Sequence, residues 1–377
     1  MKIAFIYDAV YPWVKGGAER RVYELAKKLT LRGHEVHWYS IGWWWPEKGR
    51  TDIEMDGIFL HGVSEPMELY SEDRRSIKEA LGFGLHLLRP LMMENFDVID
   101  CQGFPFFSSF TAKLHELLGK SHMIITLHEV WGDYWYDYLG KTGFFGKLVE
   151  RSMLGLTDQF ITVSKKTEID LQKIKKTENS TVIPNGIDYD MIQKIEPNSN
   201  FSDILFVGRL IKEKNVETLI RSLPIVKENY PNINCMIVGD GPERNLLEKL
   251  VDNLDLSGNV HFHGFMNNYD EIIGSMKSTK VFVLPSIREG FGMVVIEANA
   301  CGVPVVVVNH PMNAAKDLVV DGVNGYIVEP EPDVMALKII KSIENRAKTR
   351  DKCIEMSAKY DWDKIVDRLE EVYKELA

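Results

Sequence analysis

Residues 2–7, KIAFIY, form a short continuous apolar run of the kind that makes a strand buried on both faces. The period then changes. In GGAERRVYELAKKLTLRG, Ala18, Val22, Leu25, Ala26 and Leu29 fall on one helical face, and Gly33 ends the helix. EVHWYS is a second strand, which completes a strand–loop–helix–strand unit. FDVID, MIITLH, QFITVS and STVIP predict further strands. Residues 194–203, KIEPNSNFSD, are polar, carry Pro and Asn, and have no period, so they predict a linker. A second series opens after them with ILFVG, NCMIVG, VHFHG, VFVLP, VPVVVV and NGYIV, and helical patterns lie between most of these. Two alternating series predict an α/β protein with two doubly wound parallel sheets facing across a cleft, and ligands beyond the carboxyl ends of the strands. The expected domains are 1–195 and 203–358. The closing helix, 359–377, puts Ile365, Leu369, Val372 and Tyr373 on one face and is expected to cross back onto the first domain.

The length of 377 residues agrees with two hydrophobic cores rather than one. The formal charge is −10, which argues against a general nucleic-acid binder and leaves room for a local basic pocket. The four cysteines form no C-x-x-C pair and read as free thiols in a reducing cytosol. No apolar run reaches membrane-spanning length, and the first apolar run meets Asp8 too early for a signal peptide.

Four loops of the second series leave strand ends with polar residues suited to a nucleoside diphosphate. FVGRLIKEKN places Arg209 and Lys214 after a strand, and a pyrophosphate needs cations. IVGDGPER, with Gly239, is a turn that lets backbone approach a ligand. HGFM offers Phe265 and Met266 as surfaces for a base. REGFGMVVIEANAC is a turn into a helix whose start, beside Gly290 and Gly292, favours an anion. Glu289 and Glu297 flank that anion site. Carboxylates accept hydrogen bonds from vicinal hydroxyls, so the layout suits a ligand with phosphate in the middle and hydroxyls at both ends.

Glu289 to Glu297, in EGFGMVVIE, resembles the E-x-seven-E signature of the family 4 retaining glycosyltransferases with the GT-B fold. GGAER, TLHE, IPNGID, VGRL…K and VGDGP resemble other blocks of that family, in the same order, over nearly the whole chain. The resemblance implies that Arg209 and Lys214 hold the donor diphosphate and that Glu297 binds the ribose. Glu289, with the amides of Phe291 and Gly292 and with Met293 beside them, would hold the donor sugar. His128 would contact the sugar near the reacting carbon, and Gly16 and Gly17 would approach phosphate and acceptor. It also implies transfer of a sugar from a UDP- or GDP-sugar to a glycan or lipid-linked acceptor with retained configuration, and no metal or other cofactor. One block departs: NHPMNAAKDLVVDGVNGYIV lacks the family's Gly-rich turn with Pro-Glu, so no further donor-sugar contacts carry over.

Blander readings stand beside these. Glu289 and Glu297 could lie on a solvated helix face, His128 could be a core histidine, and the Gly16–Gly17 loop could be merely flexible. The D-x-D pattern at Asp188 trails PNGI and the one at Asp361 opens the last helix as a cap, so neither reads as metal ligands. The segment from Trp131 to Lys147 is dense in aromatics with Lys141 and Lys147 among them, as is GWWWPEKG. It reads as packing, as an acceptor surface, or as a contact with the cytoplasmic membrane face. A sugar-nucleotide epimerase of the same fold and a non-catalytic sugar-nucleotide-binding protein are the competing functions.

Overall fold

The computed structural model describes residues 1–71, 74–199 and 201–377. The chain divides into two units: Met1–Asn185 with Trp362–Ala377, and Gly186–Asp361.

In the first unit the strands are β1 (Lys2–Ile6), β2 (Glu35–Ser40), β3 (Ile53–Met55), β4 (Ile58–Gly62), β5 (Tyr70–Ser71), β6 (Arg74–Arg75), β7 (Val98–Gln102), β8 (His122–Leu127), β9 (Phe160–Thr162) and β10 (Ser180–Val182). Its helices are α1 (Gly17–Leu31), α2 (Trp45–Lys48), α3 (Ile77–Met92), α4 (Phe107–Leu117), α5 (Tyr134–Leu139), α6 (Gly143–Leu154) and α7 (Lys165–Ile174). Among the described residues, one sheet runs β10-β9-β8-β7-β1-β2-β4-β3. All its pairings are parallel except β3 with β4. KIAFI and VIDCQ are central strands buried on both faces, and the second buries the polar Asp100 and Gln102 as well.

The second unit contains α8 (Tyr189–Lys194), β11 (Ser202–Val207), α9 (Val216–Asn229), β12 (Cys235–Val238), α10 (Arg244–Asn253), β13 (Val260–Gly264), α11 (Tyr269–Lys277), β14 (Thr279–Leu284), α12 (Met293–Ala300), β15 (Val305–Val308), β16 (Gly325–Val328) and α13 (Pro332–Ser357). Its sheet order is β13-β12-β11-β14-β15-β16, parallel throughout. The order reverses beside β11, so the loops after β11, β12, β13 and β14 leave the same carboxyl edge.

The boundary between units lies at Asn185, not within 194–203. Hydrogen bonds explain the difference. Ile187 N–H donates to Tyr360 O (2.8 Å), Gln193 Nε2 to Ala300 O (2.8 Å), and Asn198 N–H to Gly274 O (3.2 Å). The unpatterned stretch is thus docked on the second unit, although Asn200 within it lies outside the described residues. The last helix, α14 (Trp362–Leu376), belongs to the first unit. It buries Trp362, Ile365, Val366, Leu369 and Tyr373, while Val372 is half-buried. Lys28 and Arg32 of α1 reach Asp363 (2.8 Å) and Glu370 (3.0 Å) across it.

Candidate functional site

In the second unit the chemistry gathers at the carboxyl edge of the sheet. Gly239 follows β12 at φ 133°, and a Cβ there would lie 1.9 Å from Gly208 O. No residue but glycine lets the loops after β11 and β12 approach this closely. Gly239 N–H then donates to Gly264 O (2.8 Å), which brings in the loop carrying Phe265 and Met266. Phe265 presents an exposed ring, whereas Met266 is buried. Arg209 follows Gly208 and is exposed.

The loop after β14 is held to the one after β11: Ile287 N–H donates to Glu213 O (2.9 Å), and Lys214 Nζ lies 2.5 Å from Glu289 Oε1. Glu289 is also clamped by its backbone. Its N–H donates to Met312 O (3.0 Å), and its carbonyl accepts from Ala314 N–H (2.9 Å). Asn313 is fully buried between them and donates to Ser286 O and Val308 O. So the segment that departs from the family pattern frames Glu289. Gly292 caps α12 in the left-handed region, Phe291 is buried edge-on against Tyr360, and Met293 is half-buried at the helix start. Glu297 lies further along α12, 5% exposed, and accepts from Tyr269 Oη (2.9 Å). Neither glutamate is on a solvated face. Lys214, Glu289 and the start of α12 come together, whereas Glu297 is positioned separately through Tyr269. A cation, unpaired helix N–H groups and two carboxylates in one unit suit a phosphate flanked by hydroxyls. Sequence reasoning missed Tyr269 and Asn313, because no local pattern marks either.

In the first unit Gly16 is the N-cap of α1 and Gly17 its first residue, both exposed. A Cβ on Gly16 would lie 2.3 Å from Glu19 Oε2, so a side chain there would displace a buried carboxylate. Glu19 accepts from Tyr7 Oη (3.1 Å), and burial raises its pKa. His128 follows β8 and stacks on Tyr7 (6.4 Å between ring centres). Burial, and then the Arg21 charge, push its pKa down to about 3, so the ring is neutral at pH 7. Gln102 donates from Nε2 to the buried Asp100 (3.0 Å), which leaves Oε1 to face His128 Nε2 at 2.8 Å. A carbonyl oxygen can only accept, so His128 carries its proton on Nε2. Asp100 also accepts from Thr126 Oγ1 (2.7 Å) and from Tyr373 Oη on α14 (2.5 Å). Sequence reasoning missed this relay, because residues 100–102, residues 126–128 and Tyr373 are brought together only by the fold.

Nearby, Asp8 at the end of β1 pairs with Arg75, and Glu79 of α3 is buried beside them, its carboxylate 3.7 Å from Arg75. Burial first, and the Asp8 charge second, raise the Glu79 pKa to about 9. Asp188 caps α8 by accepting from Met191 N–H (2.9 Å), and Asp361 accepts from Tyr189 N–H (3.2 Å). Among the described residues, no group of three His, Cys, Asp or Glu side chains could hold a metal ion.

The sequence model of the glycosyl transferases group 1 matches residues 189–360, and that of glycosyltransferase family 4 matches residues 15–191. The chain belongs to the group 1 glycosyltransferases. This glycosyltransferase is 28% identical to an uncharacterized glycosyltransferase of Methanocaldococcus jannaschii, over 99% of this chain and 98% of the relative. Among solved structures it resembles sucrose-phosphate synthase from Thermosynechococcus elongatus, with a TM-score of 0.82 at 20% identity over 100% and 98% of the two chains. It also resembles Anabaena Alr3699/HepE in complex with UDP-glucose, with a TM-score of 0.75 at 20% identity over the full length of both. The fold of this glycosyltransferase is GT-B, with two parallel-sheet α/β domains. No helix among its described residues is long and apolar enough to cross a membrane.

Proposed function

We propose that this glycosyltransferase moves a sugar from a UDP- or GDP-sugar to a glycan or lipid-linked acceptor, with retention and without a metal. The observation that carries the reading is the contact of Lys214 with Glu289 at the start of α12. It sets a cation for phosphate beside a carboxylate for sugar hydroxyls. The UDP-glucose in the Anabaena neighbour supports a uridine donor. Arg209 and Lys214 hold the diphosphate, Glu297 the ribose, and Glu289 with the Phe291 and Gly292 amides the sugar. The bond from the anomeric carbon to the diphosphate breaks through an oxocarbenium-like state. The acceptor oxygen bonds on the same face, and its proton passes to the leaving phosphate oxygen. The cations and the start of α12 stabilise charge gathering on that phosphate. His128, as a neutral ring, contacts the sugar without repelling the developing positive charge.

Calorimetry with UDP and GDP in excess EDTA tests the donor site. Binding is expected to survive chelation. Arg209→Ala removes a charge-assisted hydrogen bond of about 1.5–3 kcal/mol, so affinity should fall roughly 10- to 160-fold at an unchanged melting point. Unchanged affinity with a lowered melting point would make Arg209 structural and misplace the site.

A further inference from the structure

The first unit contains a cavity of about 540 Å³ that the donor reading does not use. That is within the size range of small-molecule sites, roughly 300–1,000 Å³. Its walls are almost wholly apolar: Ala80 of α3, Phe104 and Phe106 from the loop after β7, Trp135 and Leu139 of α5, and Phe145 of α6. Glu150 fixes one wall. Its buried carboxylate accepts from the N–H groups of Trp131 (2.7 Å) and Gly132 (2.8 Å) and from Trp135 Nε1 (3.3 Å). The aromatic lining is therefore a held shape rather than a loose surface.

Two features say what fills it. The first is continuity with an exposed apolar surface. Ile77 and Phe145 line the cavity and are 64% and 66% exposed. Leu81 and Leu85 continue outward along α3, and Phe144 and Leu148 along α6. Exposed Lys78, Arg89, Lys141 and Arg151 lie on or beside the same helices, in a chain of net charge −10. An anionic lipid surface complements that combination. The second is the polar end. Arg75 lies over the Phe104 ring (5.5 Å), and Phe104 is two residues from Gln102, which holds His128. The cavity's lining thus begins two residues beyond Gln102, at Phe104 and Arg75, and extends to an apolar, basic rim.

We propose that this cavity takes one hydrocarbon chain of the acceptor, so that the acceptor is a lipid-linked molecule with an anionic head. The proposal rests on the transferase reading, in which the first unit binds acceptor. The head lies at the ends of β7 and β8, near the hydroxyl that receives the sugar. The chain lies against Phe106 and Trp135.

The test uses the intact protein and octyl, decyl and dodecyl phosphate below their aggregation concentrations, followed by calorimetry. Affinity is expected to rise about fourfold per added methylene while the chain still gains buried area. Inorganic phosphate, which has no chain, is expected not to bind there. Ala80→Phe and Val149→Trp fill the cavity from opposite sides and should lower dodecyl phosphate affinity at least tenfold, with UDP affinity and melting point unchanged. A decyl phosphate brominated at its chain end should quench tryptophan emission, and the quenching should shrink in Trp135→Phe. Affinity independent of chain length, unchanged affinity in either folded variant, or absent quenching would overturn the proposal. So would binding to phosphatidylglycerol vesicles without binding of the monomeric alkyl phosphates, which would assign the apolar rim to a bilayer surface alone. Alkyl phosphate binding without UDP binding would refute the donor reading and leave the cavity's occupant standing.

Discussion

At the scale of single residues, Glu289 carries the heaviest claim. In the proposed function Glu289 holds hydroxyls of the reacting sugar, and such contacts tighten as charge develops, so their loss belongs in kcat rather than KM. Glu289→Ala is expected to lower kcat about a hundredfold or more with KM little changed. Steady-state kinetics that show only a raised KM would make Glu289 a passive binder. Glu79 gives a pH signature. Its pKa is raised from the ordinary 4.5 to about 9, so the folded state binds a proton that the unfolded state has released. The stability this contributes is full below about pH 4.5, falls as pH rises, and is gone above about 9. Melting curves should show the wild type losing ground to Glu79→Gln between pH 6 and 9, and parallel curves would place the proton elsewhere. The sequence displayed Glu289, Glu297, Arg209 and Lys214 because turns and a short helix fix them locally. It concealed Glu79 and Glu150, which no local pattern marks and which are buried through contacts made outside their own helices.

At the scale of elements, continuous apolar runs located the central strands, and period-3.6 patterning located the helix α1. The β3–β4 hairpin, IEMDGIFLHG, passed unread although Asp56 and Gly57 at φ 52° and 79° are a two-residue turn signal. Its strands are short and β3 is the sheet's edge strand, so the hydrophobic contrast is weak. The face of α14 was legible, but its role was not. Tyr373 on that helix donates to Asp100, which orients Gln102 and through it His128. Tyr373→Phe removes one donor from a buried carboxylate and should cost about 1–3 kcal/mol of stability. If the relay positions His128, nitrogen NMR will also show its Nε2–H resonance shifted or broadened at neutral pH. A lowered melting point with an unmoved His128 signal would reduce Tyr373 to packing.

At the scale of the whole molecule, two parallel sheets follow from two alternating series, but the boundary between them did not. Residues 194–203 lack a period, yet hydrogen bonds dock them on α11, and such long-range bonds leave no trace in local composition. In the proposed function the second unit's strand-end loops bind a nucleotide sugar, and its anomeric bond is replaced on the same face. Proton NMR of the purified protein with UDP-glucose, UDP-galactose, UDP-N-acetylglucosamine and GDP-mannose tests this most directly. The expected result is slow consumption of one donor in EDTA, with the first released sugar in the donor's own anomeric configuration. Release of the opposite anomer, or no turnover of any of the four, would contradict it.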